Sequence, residues 1–421
     1  MIPVSRSCLA VLFPLLLLSG AARAQSELSL QQAIALALRQ NLQIMLAEQE
    51  VAVARGQGVH AGALPPAEIF ARLDEIGFDF AAANAIEIGF SQGFEFPGKR
   101  GSRKAVARAD RQIAELQLAR LRVLLAAEVK KRYYENLLAK ENVTSQQFAV
   151  QLLDDLQRLI AERYQSGAAS YVDVVRSRIE LGRGRIELAA VQEDQIAALA
   201  KLNLLLGRES AQLLQLSDSL VYAPSGDSAF APGQSNLRRI LVTAVERQRR
   251  ALRLAQLASR PDFSVGASFQ RVAENPPFTL AQPNGETVNA FGLEAGISLP
   301  LFNRVAPKGE TQIAQAELAA AETRLAYFEQ QVRHNFAVAV AAVEATEKQV
   351  LEFRNVVLPE SQNVVHAAVA AYQSGQLSLT DLLDIHRTAG QTRLENVRAI
   401  FNYLAARADL EAVGEKFEQD E

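Results

Sequence analysis

The stretch Ala85–Pro97, AIEIGFSQGFEFP, alternates between apolar and polar or small residues. Ile86, Ile88, Phe90, Phe94 and Phe96 fall at one parity; Glu87, Gly89, Ser91, Gly93 and Glu95 fall at the other. A β-strand sends successive side chains to opposite faces, so this segment has one apolar face and one wet face. Upstream, Ile76, Phe78 and Phe80 alternate with Glu75, Gly77 and Asp79. Later in the chain, Phe263, Val265, Ala267 and Phe269 alternate with Asp262, Ser264, Gly266, Ser268 and Gln270. Phe291, Leu293, Ala295, Ile297 and Leu299 then alternate with Gly292, Glu294, Gly296 and Ser298. Four strands are expected, at about 72–97 and about 261–300, with a surface loop between Arg271 and Val288.

Two readings fit this periodicity. One is a soluble sheet with one face on a core. The other is a membrane β-barrel, apolar outside and polar within, since strands of roughly 9–11 residues cross a bilayer at a tilt. Four strands cannot close a barrel. An open sheet in lipid leaves edge N–H and C=O groups unpaired, at several kcal/mol each. The barrel reading therefore requires more than one copy of the chain.

The start of the chain bears on this choice. Arg6, the apolar run Leu9–Leu18 and Ala22-Arg23-Ala24 read as a secretory signal peptide over 1–24, cleaved before Gln25. Cys8, the single cysteine, falls inside it, which excludes a disulfide framework and cysteine metal sites, and no cysteine follows the cleavage point to take a lipid. Removing Arg6 and Arg23 leaves 42 basic and 47 acidic residues, a net charge of −5. No later run is long and apolar enough for a membrane helix, so an exported chain that enters a membrane does so as a barrel. Four scattered histidines (His60, His334, His366 and His386) lack metal-ligand spacing. The overall charge of −3 gives no basic excess for nucleic acid.

The 421 residues are 49% apolar, rich in Ala and Leu, and without Trp, a mix that favours long helices. The chain is also written twice. Tyr164-Gln165-Ser166-Gly167 with Ser170 and Asp173 recurs as Tyr372-Gln373-Ser374-Gly375 with Ser378 and Asp381. Leu30–Ile34, Phe94–Arg100 and Leu206-Gly207 have later echoes at nearly the same shift, in the same order. The expected organisation is a first repeat over 25–216, a linker over 217–235 and a second repeat over 236–421. Each repeat holds a short helix, two strands and very long helices. No proline lies between Pro97 and Pro224, and one helix is expected from about Arg100 to Arg163, a break at Gly167, and a return from about Tyr171 to Leu206. In the second repeat the helices start near Lys308, and Pro359 is expected to kink the first.

Several of these stretches resemble the TolC family of outer-membrane efflux proteins along nearly the whole mature chain. The resemblance rests on Leu30–Asn41, on Phe94-Glu95-Phe96-Pro97-Gly98-Lys99-Arg100, on Ser298-Leu299-Pro300-Leu301-Phe302-Asn303-Arg304, and on both Tyr-Gln-Ser-Gly turns with their following Asp. The Phe-Pro-Gly-Lys-Arg and Pro-Leu-Phe-Asn-Arg forms look most like the heavy-metal branch, the CzcC-like and CusC-like channels. The resemblance implies a mainly α fold with a membrane β-barrel: a homotrimer, a 12-stranded barrel in the outer membrane of a Gram-negative bacterium, and an α-helical tunnel crossing the periplasm. It implies a periplasmic adaptor and an inner-membrane RND pump as partners, no cofactor, and a passive conduit rather than an enzyme. Ile86, Ile88, Phe90, Phe94, Phe263, Val265, Phe269, Phe291, Leu293 and Ile297 would face lipid. Tyr164, Gly167, Asp173, Tyr372, Gly375, Asp381 and Asp384 would form the periplasmic tip, its gate and the adaptor contact. Asp381 and Asp384, three apart on one helix, would repeat as carboxylate rings that favour cations. Capping explains the same turns without any gate, since Gly ends a helix and Ser with Asp starts the next. The family often places an Arg near the second turn; Gln376 and Leu377 stand there. Two other readings remain open: a drug-efflux or type I secretion channel of the same architecture, and a soluble periplasmic coiled-coil scaffold.

Overall fold

A computed structural model describes residues 27–76, 83–167, 169–224, 235–272, 288–299, 305–374 and 376–415. The expected leader over 1–24, Phe78, Phe80, Pro300–Arg304 and Gly375 lie outside the described residues, as does much of the expected 217–235 linker. In chain order the elements are α1 (Leu30–Gln40), α2 (Leu42–His60), β1 (Ala67–Ile76), β2 (Ala83–Phe94), α3 (Lys99–Gln165) and α4 (Tyr171–Leu205). They continue with α5 (Asn236–Leu257), β3 (Asp262–Val272), β4 (Val288–Ser298), α6 (Val305–Glu352), α7 (Leu358–Gln373) and α8 (Leu379–Gly414).

The expected single short helix at the start is two, α1 and α2. Asn41 ends the first and caps the second, its side chain accepting from Gln43 N–H at 2.8 Å. α3 runs 67 residues, about 100 Å at 1.5 Å per residue. Its counterpart is interrupted where a kink was expected: a π-helical turn, Phe353–Val357, separates α6 from α7. Pro359 follows at once, and a proline removes one helical hydrogen bond and crowds the carbonyl four residues back. The wider turn absorbs that conflict while the helix continues.

The four strands form one antiparallel sheet in the order β1-β2-β3-β4. β1 begins at Ala67, earlier than the expected position near 72. Its alternation is hard to read because Phe70 sits at the polar parity and Ala71 at the apolar one. Ile69 is opposite Phe90, and Leu73 opposite Ile86.

Helices this long cannot share one compact core. Apolar packing instead concentrates at mid-length, where Ala33 and Ile34 of α1 meet Leu125, Val129 and Tyr133 of α3 and Leu202 and Leu206 beyond them. Val343, Val350, Tyr403 and Leu404 form the second cluster. The chain between the halves is tied there. Leu28 pairs with Leu216 in a parallel bridge, and the Tyr133 hydroxyl lies 2.8 Å from both the Leu28 carbonyl and Asp218. Burial and the Asp218 carboxylate hold that phenol well above its usual range. Tyr222 donates to Glu347 at 2.7 Å, and that carboxylate, with some burial, pushes the phenol up to about 12. The accessible surface is 28541 Å². A compact monomer of 45.9 kDa exposes roughly 16,000 Å². The chain is therefore extended, with much surface available to partners.

Candidate functional site: sheet face, junction and tip

The sheet sorts its residues as the alternation requires. Across the register, Ile88 lies opposite Ala71 and Phe269, Phe90 opposite Ile69 and Ala267, and Phe94 opposite Phe263. On β4, Phe291 is opposite Phe269, Leu293 opposite Ala267 and Ile297 opposite Phe263. Directly opposed residues share a face. Ile86, Ile88, Phe90, Phe94, Phe263, Val265, Phe269, Phe291, Leu293 and Ile297 are therefore on one side, and all are exposed. Leu293 reaches 92% exposure and Phe291 87%, so no helix among the described residues covers that face. The other face carries Glu87, Gly89, Ser91, Ser264, Gly266, Ser268, Gly292 and Glu294. β1 and β4 are the two edges, each with one side unpaired.

One aromatic residue stands on the polar face. The tip of the Phe70 ring lies over Gly89, where an added Cβ would come within 2.3 Å of it. Arg72 covers the ring at 5.4 Å and donates to Glu87 at 3.1 Å. This cluster binds the edge strand β1 to β2. Only pairing knowledge could have found it, because Phe70 and Gly89 are far apart in sequence.

Below the sheet, Phe96-Pro97-Gly98-Lys99-Arg100 turns a strand into a helix. Gly98 has φ +103°, a conformation that favours glycine. Lys99 Nζ donates to Asp262 Oδ1 at 2.9 Å and Oδ2 at 3.0 Å, and to the Arg260 carbonyl at 2.9 Å. Phe96 N–H donates to the same Asp262 at 2.8 Å. Arg103 is paired with Glu95 and donates to the Ala61 and Ala63 carbonyls at 3.0 and 3.1 Å. The motif read from the sequence as a mark of resemblance is thus a fastening. It joins the first half of the chain to β3 of the second.

At the far end, Gly167 has φ +74° and closes α3. Ser170 and Asp173 form a reciprocal cap on α4: Asp173 N–H donates to Ser170 Oγ at 3.2 Å, and Ser170 N–H donates to Asp173 Oδ2 at 3.2 Å. Ser378 caps α8 without the reciprocal backbone bond: Asp381 N–H donates to Ser378 Oγ at 3.2 Å, and the serine hydroxyl donates to Asp381 Oδ2 at 2.6 Å. Asp384 is exposed one turn further along, and its carboxylate has no partner among the described residues. His386, two residues on and half-buried, is held below the usual histidine range by burial.

The two turns also touch. Arg163 Nη1 donates to the Tyr372 hydroxyl at 3.1 Å, and its guanidinium lies 5.5 Å from that ring centre. Arg176 reaches Thr380 at 3.4 Å. Tyr164 packs on Tyr171, rings 6.0 Å apart. Where the sequence offered only Gln376 and Leu377 at the second turn, the arginine comes from the first. Gln376 and Leu377 serve through their backbones, both N–H groups donating to the Ala371 carbonyl. Among the described residues, no group of three or more His, Cys, Asp or Glu converges, and no helix is long and apolar enough to cross a membrane.

The outer membrane efflux protein family matches this chain over residues 78–208 and 241–414. The chain belongs to that family. The two matched segments each hold long helices and at least one strand, and they fall on either side of the chain between the halves. The chain is 24% identical over 382 residues to the cobalt-zinc-cadmium resistance protein CzcC of Cupriavidus metallidurans, covering 88% of this chain and 86% of that one. Its fold matches CusC with a TM-score of 0.74 at 18% identity, covering 91% of each chain. It matches the outer membrane protein VceC of Vibrio cholerae with a TM-score of 0.75 at 18% identity, covering 91% of this chain and 96% of that one. The resemblance read from the strand ends and the paired turns is thus established, and the family is one of channels, with the fold of an outer-membrane efflux channel.

Proposed function

We propose that the chain is the outer-membrane conduit of a tripartite efflux system. Export by the 1–24 leader, cleaved and not lipidated, delivers it to the outer membrane of a Gram-negative bacterium. The two structural repeats, 25–216 and 236–421, joined by 217–235, each contribute two strands. Three copies then close a 12-stranded barrel continued by a helical tunnel. A periplasmic adaptor and an RND pump supply the cargo and the energy. The CzcC relative favours heavy-metal cations as that cargo.

The observation that carries this reading is the sheet. Its apolar face is exposed and its two edges are open among the described residues. In water such a face is a liability. In lipid it is satisfied, provided that neighbouring copies pair the edges. The test is fractionation followed by deletion. The account expects a heat-modifiable trimer that needs detergent, and a deletion strain that loses growth on cobalt, zinc or cadmium while keeping antibiotic tolerance. A freely soluble periplasmic monomer would overturn it. Sensitivity to antibiotics alone would move the cargo to drugs.

The tip residues make the gate in this reading. Arg163 and Tyr372 tie the two hairpins of one copy together, and opening requires the hairpins to separate. Arg163→Ala is expected to raise the single-channel conductance of the trimer in planar bilayers several-fold. Unchanged conductance would show that the tether does not hold the gate. Asp384, whose carboxylate is free, is expected to set the charge preference at the mouth. The double variant Asp381→Ala with Asp384→Ala should lower cation over anion permeability, but it also removes the first-turn acid of α8 that accepts from the Ser378 hydroxyl, at a cost of about 0.3–1 kcal/mol. Asp384→Ala alone isolates the electrostatic effect. An unaltered reversal potential in a salt gradient would remove the carboxylates from the filter.

A further inference from the structure

We infer that the tunnel carries a basic collar just beneath the barrel, which docks on the anionic phospholipid headgroups of the periplasmic leaflet. The inference rests on the reading that the apolar sheet face meets lipid. Four helix ends adjoin the sheet: the end of α2, the start of α3, the end of α5 and the start of α6. Over residues 53–60, 99–106, 250–260 and 305–312, nine residues are Lys or Arg, and Glu310 is the one acid. The whole chain has a net charge of −3, so this end is strongly polarised.

Internal pairing does not account for the collar. Lys99 and Arg103 are committed to Asp262 and Glu95 inside the junction, and Arg250 is paired with Glu246 one turn back on α5. Arg55, Lys104, Arg253 and Lys308 have no hydrogen-bond or ion-pair partner among the described residues. Arg100 donates only to the Gly62 carbonyl, at 2.6 Å, and keeps its charge uncompensated. Arg260 is exposed, with its guanidinium 6.0 Å from the Phe96 ring centre, and Phe96 stacks on Phe263 of the apolar face. That places a cation at the rim of the apolar belt, where an amphipathic side chain has its stem against apolar surface and its head in the polar layer.

Position and orientation agree with a headgroup layer. At 1.5 Å per residue, Lys104 lies about 7.5 Å along α3 from its start, and Arg253 about 6 Å from the end of α5. The headgroup region adds roughly 5–8 Å to each side of the hydrocarbon core. α3 and α5 are the middle helices of the row α2, α3, α5, α6, so copies that pair edge to edge through β1 and β4 would abut α2 and α6 rather than α3 and α5. On α3, Val129 packs with α1, and α1 must lie outside the tunnel if the bore is open. Seven-residue steps from Val129 lead to Arg122, Glu115 and Arg108, and steps from Leu125 lead to Leu118, Arg111 and Lys104. Lys104 and Arg108 are therefore on the outer side. Anionic leaflets attract such basic segments, and each Lys or Arg strengthens the contact in a salt-dependent way.

The test is native mass spectrometry of the full-length protein, released from detergent with equal amounts of dioleoylphosphatidylglycerol and dioleoylphosphatidylcholine. The wild type is expected to retain the glycerol lipid preferentially. In R100Q/K104Q/R253Q/R260Q that preference is expected to fall about tenfold or more. R100K/R253K/R260K, which keeps the charge, is expected to retain it. Equal retention of the two lipids by the wild type, or an undiminished preference in the quadruple variant, overturns the collar. So does an equal loss in R158Q/R183Q/R185Q, whose charges lie near the tip. The oligomer mass in the same spectra reports the trimer reading separately.

Discussion

Phe90→Arg is expected to abolish insertion of the protein into the outer membrane. Phe90 is near the middle of β2, directly opposite Ile69 on one side and Ala267 on the other, with all three on the exposed apolar face. An arginine at the midplane of a barrel wall costs about 2–4 kcal/mol. Three copies would carry the change at one level, and each must insert for the wall to close. The comparison that gives the result its meaning is Ser91→Arg, one residue along. Ser91 shares its face with Glu68 and Gly266. An arginine there enters a wet bore and is expected to leave assembly intact. The readout is the amount of heat-modifiable oligomer in outer-membrane fractions. Equal loss in both variants would mean that the two faces do not differ in environment.

Asp262→Ala is expected to destabilise the junction by about 2–3 kcal/mol, the range for hydrogen bonds to charged groups and for breaking a partly buried pair. One carboxylate accepts from both Lys99 Nζ and Phe96 N–H, so its loss strips two donors at once. Lys99 is 12% exposed and retains only the Arg260 carbonyl. The chain has no Trp, so the unfolding midpoint in urea is best followed by far-ultraviolet circular dichroism. The paired replacement Lys99→Met with Asp262→Leu is expected to recover part of the loss, because it removes the stranded ammonium as well as its partner. If Asp262→Ala unfolds at the wild-type urea concentration, the ion pair is not the fastening that the geometry makes it.

The elements that sequence conveyed best are those in which one period governs many residues. Alternation located β2, β3 and β4, because each has a clean apolar parity. It was weaker for β1, where Phe70 occupies the polar face to cover Gly89, and where Ala71 supplies little apolar signal. The long helices were legible from helical spacing without proline, and Pro359 marked a disturbance whose form, a π-helical turn, depends on how the backbone accommodates it. The two turns were legible as caps, since Ser170 with Asp173 and Ser378 with Asp381 are local pairs. Contacts between distant segments were not. Arg163 and Tyr372 are 209 positions apart, and Lys99 and Asp262 are 163 apart. No local period records such pairings. The duplicated layout places the two turns side by side, and only the folded arrangement shows which side chains meet.

The central claim is that alternate residues of these strands contact acyl chains while their neighbours line water. Single cysteines placed in turn from Ile86 to Phe94 test it most directly, because Cys8, the one native cysteine, lies within residues 1–24, the proposed leader. Labelling in intact outer membranes with a water-soluble maleimide is expected to mark Glu87, Gly89, Ser91 and Gly93 and to spare Ile86, Ile88, Phe90 and Phe94. Uniform labelling along the strand, or protection at both parities, would contradict the account.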